Sequence, residues 1–489
     1  MARTKAPRKN VRAARRTRAP KSPDTNTGQL RVRMYRVGFG DFFLLTVPSK
    51  EGPQHIVVDC GVTNGKTGKG DIGTIKDAVA HMARETGGKL ALIIVTHRHM
   101  DHIIGFSRCA EVFQRFKDRV DAIWMPYWET EYDANVSKFQ SKLTSLALDV
   151  QNHLALASDT TPDRAEMLAM LENATGNVLG MAGTGGGTND DSLAFLKEGF
   201  GVKPNYYSQG QKPELPKALV KAGLAAEILG PPPEDATPFM KLEDLKKGGG
   251  QYLQAAENGG DSKKFRPFGG SWEAGSSDYP AGAFREWVPR PGTASAYDNP
   301  DRRVLEKAVE EAQPSVLLTA VKQLDSFLNN QSLVVLFTYK GKKLLFAGDA
   351  QAGNWEYWLY DESDPTKAPA LKLGKKGEAV LGALDFYKVG HHGSTNATPI
   401  VAVENMKAGT TAMCSTQEGS FGSVEKNSEV PRIPLMEALA KKCVVVRSDQ
   451  IAVKLPNNEV PAVKGAPSKL QKPRQGSFEV GSCYVDYFI

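Results

Sequence analysis

Residues 90–96, Leu-Ala-Leu-Ile-Ile-Val-Thr, constrain the fold more tightly than any other stretch of the chain. An apolar run this short reads as a strand, and without polar alternation it must be covered on both faces. Strands of that kind sit inside parallel sheets. A second follows at 120–126 (VDAIWMP) after a helical pattern over 103–117, and a helical pattern over 73–85 precedes the first. Strand and helix in alternation predict an α/β layered fold. At 489 residues the chain holds one large or two ordinary domains. Its 40% hydrophobic and 24% charged residues are those of a soluble globular protein. No apolar run reaches the ~18–20 residues of a membrane span, and the N-terminus lacks the apolar core of a secretory signal.

Charge divides the chain. Residues 1–21 carry nine basic and no acidic residues (Arg3, Lys5, Arg8, Lys9, Arg12, Arg15, Arg16, Arg18 and Lys21), which accounts for the net charge of +7. The remainder has 53 basic against 55 acidic residues. With Pro7, Pro20 and few large apolar residues, 1–28 is expected to be a disordered basic tail. Its charge suits nucleic acid, an acidic partner or an anionic membrane; a solubilising extension suits it equally. One ordered domain is expected over 29–489. It opens with a hairpin at 30–47 that bends at Gly38 and Gly40, then a strand at 55–60. Helices are expected over 134–178 and 303–325, and strands at 332–339, 342–348, 383–390 and 409–416. A strand closes 219–231, a hairpin is expected at 442–455 and an edge strand within 477–489. The stretch 241–300, rich in Gly, Ser, Pro and charge, reads as a loop-rich insertion, a lid or a partner surface. Residues 65–70 (GKTGKG) lack the phosphate-loop spacing and read as a surface loop. Five scattered cysteines, Cys60, Cys109, Cys414, Cys443 and Cys483, predict reduced thiols and a cytoplasmic protein.

The chain has eight histidines, and five fall in two tight groups: His97, His99 and His102, then His391 and His392. The first group follows the buried strand at once. In the loop after a strand, His97 and His99 point the same way and can chelate one cation, while Asp101 and His102 face a second. Imidazole and carboxylate suit Zn²⁺, with Mn²⁺ or Fe as alternatives. A helix starting just beyond turns its positive end to the site. Asp349 ends the apolar strand KKLLFAG and can bridge both metals; His391 ends another strand and can complete the second. Ligands at strand ends on one sheet edge are where α/β folds place their sites. Asp59, ending strand 55–60, is placed to hold a ligand histidine or the loop. His55, His81 and His153 read as ordinary surface or core residues.

His-x-His-x-Asp-His after an apolar strand resembles the signature of the metallo-β-lactamase superfamily. The match is closest to the corresponding domain of the ComEC/Rec2 competence-protein family. Val37-Gly38-Phe39-Gly40-Asp41 is similar to that family's opening strand, and Val58-Asp59-Cys60-Gly61 to its next motif. Leu229-Gly230-Pro231-Pro232, Asn329-Asn330-Gln331-Ser332-Leu333-Val334, Phe346-Ala347-Gly348-Asp349-Ala350 and Lys388-Val389-Gly390-His391-His392-Gly393-Ser394 continue the resemblance. It implies a four-layer αββα sandwich with two divalent metal ions. Many members of the superfamily carry a further histidine between the first cluster and the aspartate. The sole histidine in that interval here is His153, so the first metal has His97, His99 and Asp349, with Asp190 or Asp191 as candidate additions. Of the last pair, His391 is favoured as the ligand and His392 as a substrate contact or acid.

Two dications polarise a shared water towards hydroxide, and its pKa falls from ~15.7 to near 7. Asp101 can orient that hydroxide as well as bind metal. Two dications, two carboxylates and one hydroxide leave about one positive charge, which favours a phosphodiester anion over a neutral carbonyl. Ser394 and Asn396 are placed to donate to phosphate oxygens. The family includes nucleases and other phosphodiesterases, so a phosphodiesterase or nuclease acting on nucleic acid or nucleotides is expected. The alternatives are a hydrolase of esters, lactones or amides at the same centre, and a non-catalytic component of a multi-protein, defence-type system.

Overall fold

The computed structural model describes residues 28–63, 74–141, 164–175, 187–233, 314–360, 373–425, 427–450 and 475–489, with a few isolated residues and two short strands besides. The expected basic tail, the 65–70 loop, His153 and the 241–300 insertion lie outside the described residues, apart from Gly28 at the tail's end.

The strands in chain order are β1 (Arg31–Tyr35), β2 (Phe42–Val47), β3 (Gln54–Cys60), β4 (Leu92–Ile94), β5 (Ile123–Pro126), β6 (Asn205–Tyr207), β7 (Leu224–Gly230) and β8 (Val334–Tyr339). They continue with β9 (Lys342–Phe346), β10 (Leu384–Lys388), β11 (Thr411–Cys414), β12 (Val444–Arg447), β13 (Val453–Leu455), β14 (Asn458–Val460), β15 (Ser477–Val480) and β16 (Tyr484–Phe488). Two mixed sheets result, in the orders β15-β16-β1-β2-β3-β4-β5-β6 and β12-β11-β10-β9-β8-β7. The helices used below are α1 (Ile75–Glu85), α2 (Met100–Arg108), α3 (Ala110–Phe113), α4 (Arg164–Thr175), α5 (Asn189–Glu198), α6 (Lys217–Lys221), α7 (Pro314–Asn330), α8 (Ala352–Leu359), α9 (Lys375–Leu381), α10 (Ile400–Asn405) and α11 (Ile433–Lys442). The protein is thus mixed α/β.

Strand alternation decides which residues meet. Phe43, Leu45, Ile56 and Leu92 of the first sheet pack with Phe337, Leu344, Phe346 and Phe386 of the second. The opposite faces of the same strands (Phe42, Leu44, Val57, Ile93) pack on Val79 and Met82 of α1, Phe106 of α2 and Leu196 of α5. On the second sheet, Leu345 and Tyr387 pack on Trp355 of α8, Val380 of α9 and Leu439 of α11. Each fully buried aliphatic or aromatic side chain contributes roughly 1.5–3 kcal/mol, so the doubly covered strands are the rigid frame of the molecule.

The frame sets the edge on which the site stands. β3, β4 and β5 run parallel, as do β9, β10, β11 and β12. Their carboxyl ends deliver Asp59, the Thr96–His102 segment, Asp349, Lys388 and Ser415. Two glycines permit the close approach. A Cβ on Gly61 would stand 2.1 Å from the Asp101 carbonyl carbon, and Gly348 (φ 54) would drive one 2.8 Å from Thr96 Cβ. Only glycine tolerates both conditions.

Three expectations are corrected. Residues 442–455 are not a hairpin: β12 follows α11 and pairs in parallel with β11, whereas β13 pairs with β14. A run of valines signals burial in a sheet but not the direction of pairing. The 477–489 segment supplies two strands, and the aromatic-rich β16 lies inside the sheet between β1 and β15. The helix expected over 103–117 begins at Met100 and breaks at Cys109 into α2, α3 and a short 3₁₀ turn. Among the described residues no helix is long and apolar enough to cross a membrane. All five cysteines are buried and unpaired.

Candidate metal centre

His97, His99, Asp101 and His102 sit where β4 hands over to α2, with His99 as the cap residue of that helix. All four are buried, at 1% exposure or less. Asp101 in the first turn faces the positive end of the helix. Asp349 comes from the end of β9, and His391 and His392 from the turn after β10, both with left-handed backbone (φ 43 and 52). Asp59 shares that conformation at φ 55. Residues held at such angles store strain, and here three of them converge on one spot.

The donor atoms close into a group. Asp101, His102, Asp349 and His392 each offer one ligand atom, and these lie within 4.8 Å of one another. His102 Nε2 is 3.0 Å from Asp349 Oδ2. His392 Nε2 is 3.0 Å from Asp101 Oδ2 and 3.4 Å from Asp349 Oδ2. Beside them, His97 Nε2 stands 3.1 Å from His99 Nδ1. Asp59 anchors the group: its Oδ1 accepts from Thr96 N, and its Oδ2 from Thr96 Oγ1 and, at 2.8 Å, from His102 Nδ1. Asp59 therefore contacts both the Thr96 loop and His102.

His392, and not the favoured His391, turns its Nε2 to the carboxylates. His392 Nδ1 donates to the Ser415 carbonyl at 2.8 Å, which turns Nε2 into the carboxylates. His391 lines the neighbouring cavity of about 330 Å³, with Nδ1 3.0 Å from Asn396 Oδ1 and Nε2 3.4 Å from Asn329 Nδ2. Consecutive left-handed residues send the two rings to different sides, which residue order alone does not foretell. Ser394 Oγ donates to Asn396 Oδ1, and both side chains reach the same cavity. Neither Asp190 nor Asp191 joins a group of donor atoms with the histidines among the described residues. Both are exposed at the start of α5, where Asp191 forms a capping box with Thr188.

Three residues not singled out in the sequence belong to this centre. Lys388, buried at the end of β10, pairs with Asp41 and approaches Asp349 Oδ1 to 3.3 Å. With the His391 N–H, which donates to the same oxygen at 3.0 Å, it occupies Oδ1 and leaves Oδ2 for the histidines. Asp41 is itself at the edge of the group, 3.7 Å from His102 Nδ1. Asp325 on α7 places Oδ1 4.0 Å from His99 Nε2. The signal for Lys388 was a lysine ending an apolar strand beside the histidine pair; nothing local marks Asp325.

Charge follows this geometry. Burial opposes a charged imidazole at His102 and His392, but the surrounding carboxylates, Asp349 first, outweigh it; His102 is held well above its ordinary range and His392 is pushed up to about 10. Burial and the neighbouring imidazoles hold His97 well below its usual value, and burial lowers His99 and His391. Burial also disfavours charge on Asp349, yet His102, His392 and Lys388 keep it well below the usual carboxylate range. Asp325, buried and facing other carboxylates, is pushed up to about 6.

The donor set fits a divalent cation. His99 Nε2 and Asp101 Oδ1 are buried without hydrogen-bond partners, a cost of roughly 1–3 kcal/mol each that a bound cation or its water would relieve. The Nε2 atoms of His102 and His392, turned to the carboxylates, are where a cation would take the place of a proton. No family model matches the chain, and no curated protein matches it.

Proposed function

We propose that the protein is a metal-dependent hydrolase of the metallo-β-lactamase type and acts as a phosphodiesterase or nuclease. The observation that carries this is the closed group of Asp101, His102, Asp349 and His392, in which both imidazoles have Nδ1 engaged and Nε2 turned to shared carboxylates. Two facing sheets with helices on both outer faces support the four-layer αββα sandwich of that superfamily. Asp101, His102, Asp349 and His392 would hold one metal, and His97, His99 and Asp349 the other. When bound, two divalent cations such as Zn²⁺ supply a hydroxide at neutral pH and stabilise the charge of the transition state.

The chain's own residues do the rest. Lys388 and the His391 N–H fix Asp349 so that a single oxygen faces the centre. Asp59 and the Ser415 carbonyl orient His102 and His392. His391, Ser394 and Asn396 border the cavity and can donate to a substrate oxygen or a leaving group. Phe39 and Phe421, with ring centroids 4.6 Å apart, line its apolar side. Among the described lining residues, Asp101, Glu166 and Asp325 face one cation, Lys322. That balance suits one phosphodiester group, as in a nucleotide or a strand end, better than a long polyanion.

The test is metal-dependent cleavage of bis(p-nitrophenyl) phosphate, cyclic dinucleotides and single-stranded DNA, compared with lactone and β-lactam substrates. Cleavage of a phosphodiester that is lost in Asp349→Ala supports the proposal. Opening of a lactone with inert phosphodiesters would redirect it to the carbonyl alternative.

A further inference from the structure

A histidine that binds metal through one ring nitrogen needs the other protonated and held, or its orientation and tautomer drift. Three histidines of the centre meet that need through Nδ1. His97 Nδ1 lies 3.2 Å from Thr96 Oγ1 and 3.4 Å from Ser332 Oγ, His102 Nδ1 meets Asp59 at 2.8 Å, and His392 Nδ1 meets the Ser415 carbonyl at 2.8 Å. His99 is reversed. Its Nδ1 faces His97 Nε2 at 3.1 Å, and its Nε2, on a ring 1% exposed, has no hydrogen-bond partner. Opposite that nitrogen is Asp325 Oδ1, 4.0 Å away. The other oxygen of Asp325 is occupied, accepting from Asn329 Nδ2 one turn along α7 at 2.8 Å.

We infer that Asp325 is the positioning residue of the first metal: its carboxylate accepts the Nε2–H of His99 and thereby fixes Nδ1, beside His97 Nε2, as the metal-binding atom. This rests on the metal reading given above. The two nitrogens of an imidazole point away from each other, and His97, the other imidazole of this site, lies on the Nδ1 side. Asp325 therefore acts through His99 and is not a ligand itself. The 4.0 Å separation exceeds a normal hydrogen bond by about 1 Å, so the inferred bond requires the Asp325 carboxylate, held from its other side by Asn329 and Gln351, to approach Nε2 by that amount when metal binds. Asp325 stands to His99 as Asp59 stands to His102, which gives the first metal an anionic support where no third histidine is supplied.

The experiment is calorimetric titration of the full chain with Zn²⁺, with bound metal counted by elemental analysis after dialysis. Wild type is compared with Asp325→Ala and Asp325→Asn, and each variant's melting temperature without metal reports its folding. Asp325→Ala should weaken the first site by about 10–100-fold and leave the second at wild-type affinity. Asp325→Asn, whose amide oxygen accepts the same hydrogen bond, should recover most of that loss. Wild-type affinity at both sites in Asp325→Ala overturns the inference. An Asp325→Asn as damaging as Asp325→Ala also overturns it and points to direct ligation. A wild-type protein that binds no Zn²⁺ removes the metal reading itself and this inference with it, which a failure confined to Asp325 does not.

Discussion

The molecule buries two clusters of charge, and they are built on opposite terms. Against α1, Arg33 forms a bidentate pair with Asp486, both bonds 2.6 Å, and Arg31 meets Glu85 at 2.8 Å. Tyr484 covers the Arg33 guanidinium at 3.5 Å. Cation and carboxylate are matched there, and little is left for a ligand to supply. At the carboxyl ends of the strands, Asp41, Asp59, Asp101 and Asp349 face one permanent cation, Lys388, and are otherwise offset only by charging the imidazoles of His102 and His392, while Asp101 Oδ1 and His99 Nε2 lack partners. Burial is similar in the two places; the first is saturated in charge, though Arg31 Nε lacks a hydrogen-bond partner, and the second is not. A saturated cluster is a fastening. An unsaturated one of this size persists in a folded protein only if something else completes it, because unmatched buried charge is costly.

The widest separation between the clusters should come from replacing one carboxylate in each. Asp349→Asn is expected to lower turnover by about 10³-fold or more, the scale of losing direct stabilisation of transition-state charge. Its melting temperature in chelator should stay within a few degrees of wild type. Asp486→Ala should do the reverse, costing about 3–5 kcal/mol by stranding Arg33 while turnover per folded molecule is kept. Thermal melts and kinetics on both proteins decide it. Stability lost in Asp349→Asn with turnover intact would erase the distinction.

Legibility in the sequence followed the same line. The His97–His102 segment and Asp349 could be read because each abuts an uninterrupted apolar strand, so local pattern alone put them at a strand end. Asp59 was legible for the same reason. Asp325 and Asp41 were not, since each is a single residue of a common type whose partners are distant in sequence; Lys388 ends an apolar strand beside the histidine pair, a local mark that could have singled it out. The order of His391 and His392 was hidden by two successive left-handed residues, which pattern arguments do not register. The fold class followed from strand–helix alternation. The place of β16 inside the first sheet did not, because strand order depends on contacts between the ends of the chain.

The choice between these two histidines supplies the next effect in size. His392→Ala should cost the second metal, read as a lower metal count per chain. His391→Ala should keep the metal count and reduce turnover by about 10–100-fold, at the low end for a residue that assists proton transfer. The opposite outcome, metal lost with His391 and kept with His392, would return the ligand role to His391.

The smallest expected effect tests the saturated cluster from within. His55 Nδ1 lies 3.2 Å from Thr46 Oγ1, and that hydroxyl accepts from Arg31 at 2.8 Å and can donate its own proton to the ring. Protonating Nδ1 would reverse this bond and set a second cation beside Arg31. Burial first, then the Arg31 field, accordingly lower His55 from 6.5 to about 4. The folded state therefore binds fewer protons than the unfolded one between these values, and linkage requires stability to fall as pH falls through that window. The contribution is whole above about pH 6.5 and gone below about pH 4. Its ceiling is about 3 kcal/mol, and solvent near the ring reduces it to about 1–2 kcal/mol. His55→Asn keeps an acceptor at the Nδ1 position and cannot take up the proton. Urea unfolding at several pH values should show a shallower decline for His55→Asn than for wild type between pH 6.5 and 4. Parallel curves would mean that the Arg31 cluster tolerates a further charge, and that its matching is looser than the distances imply.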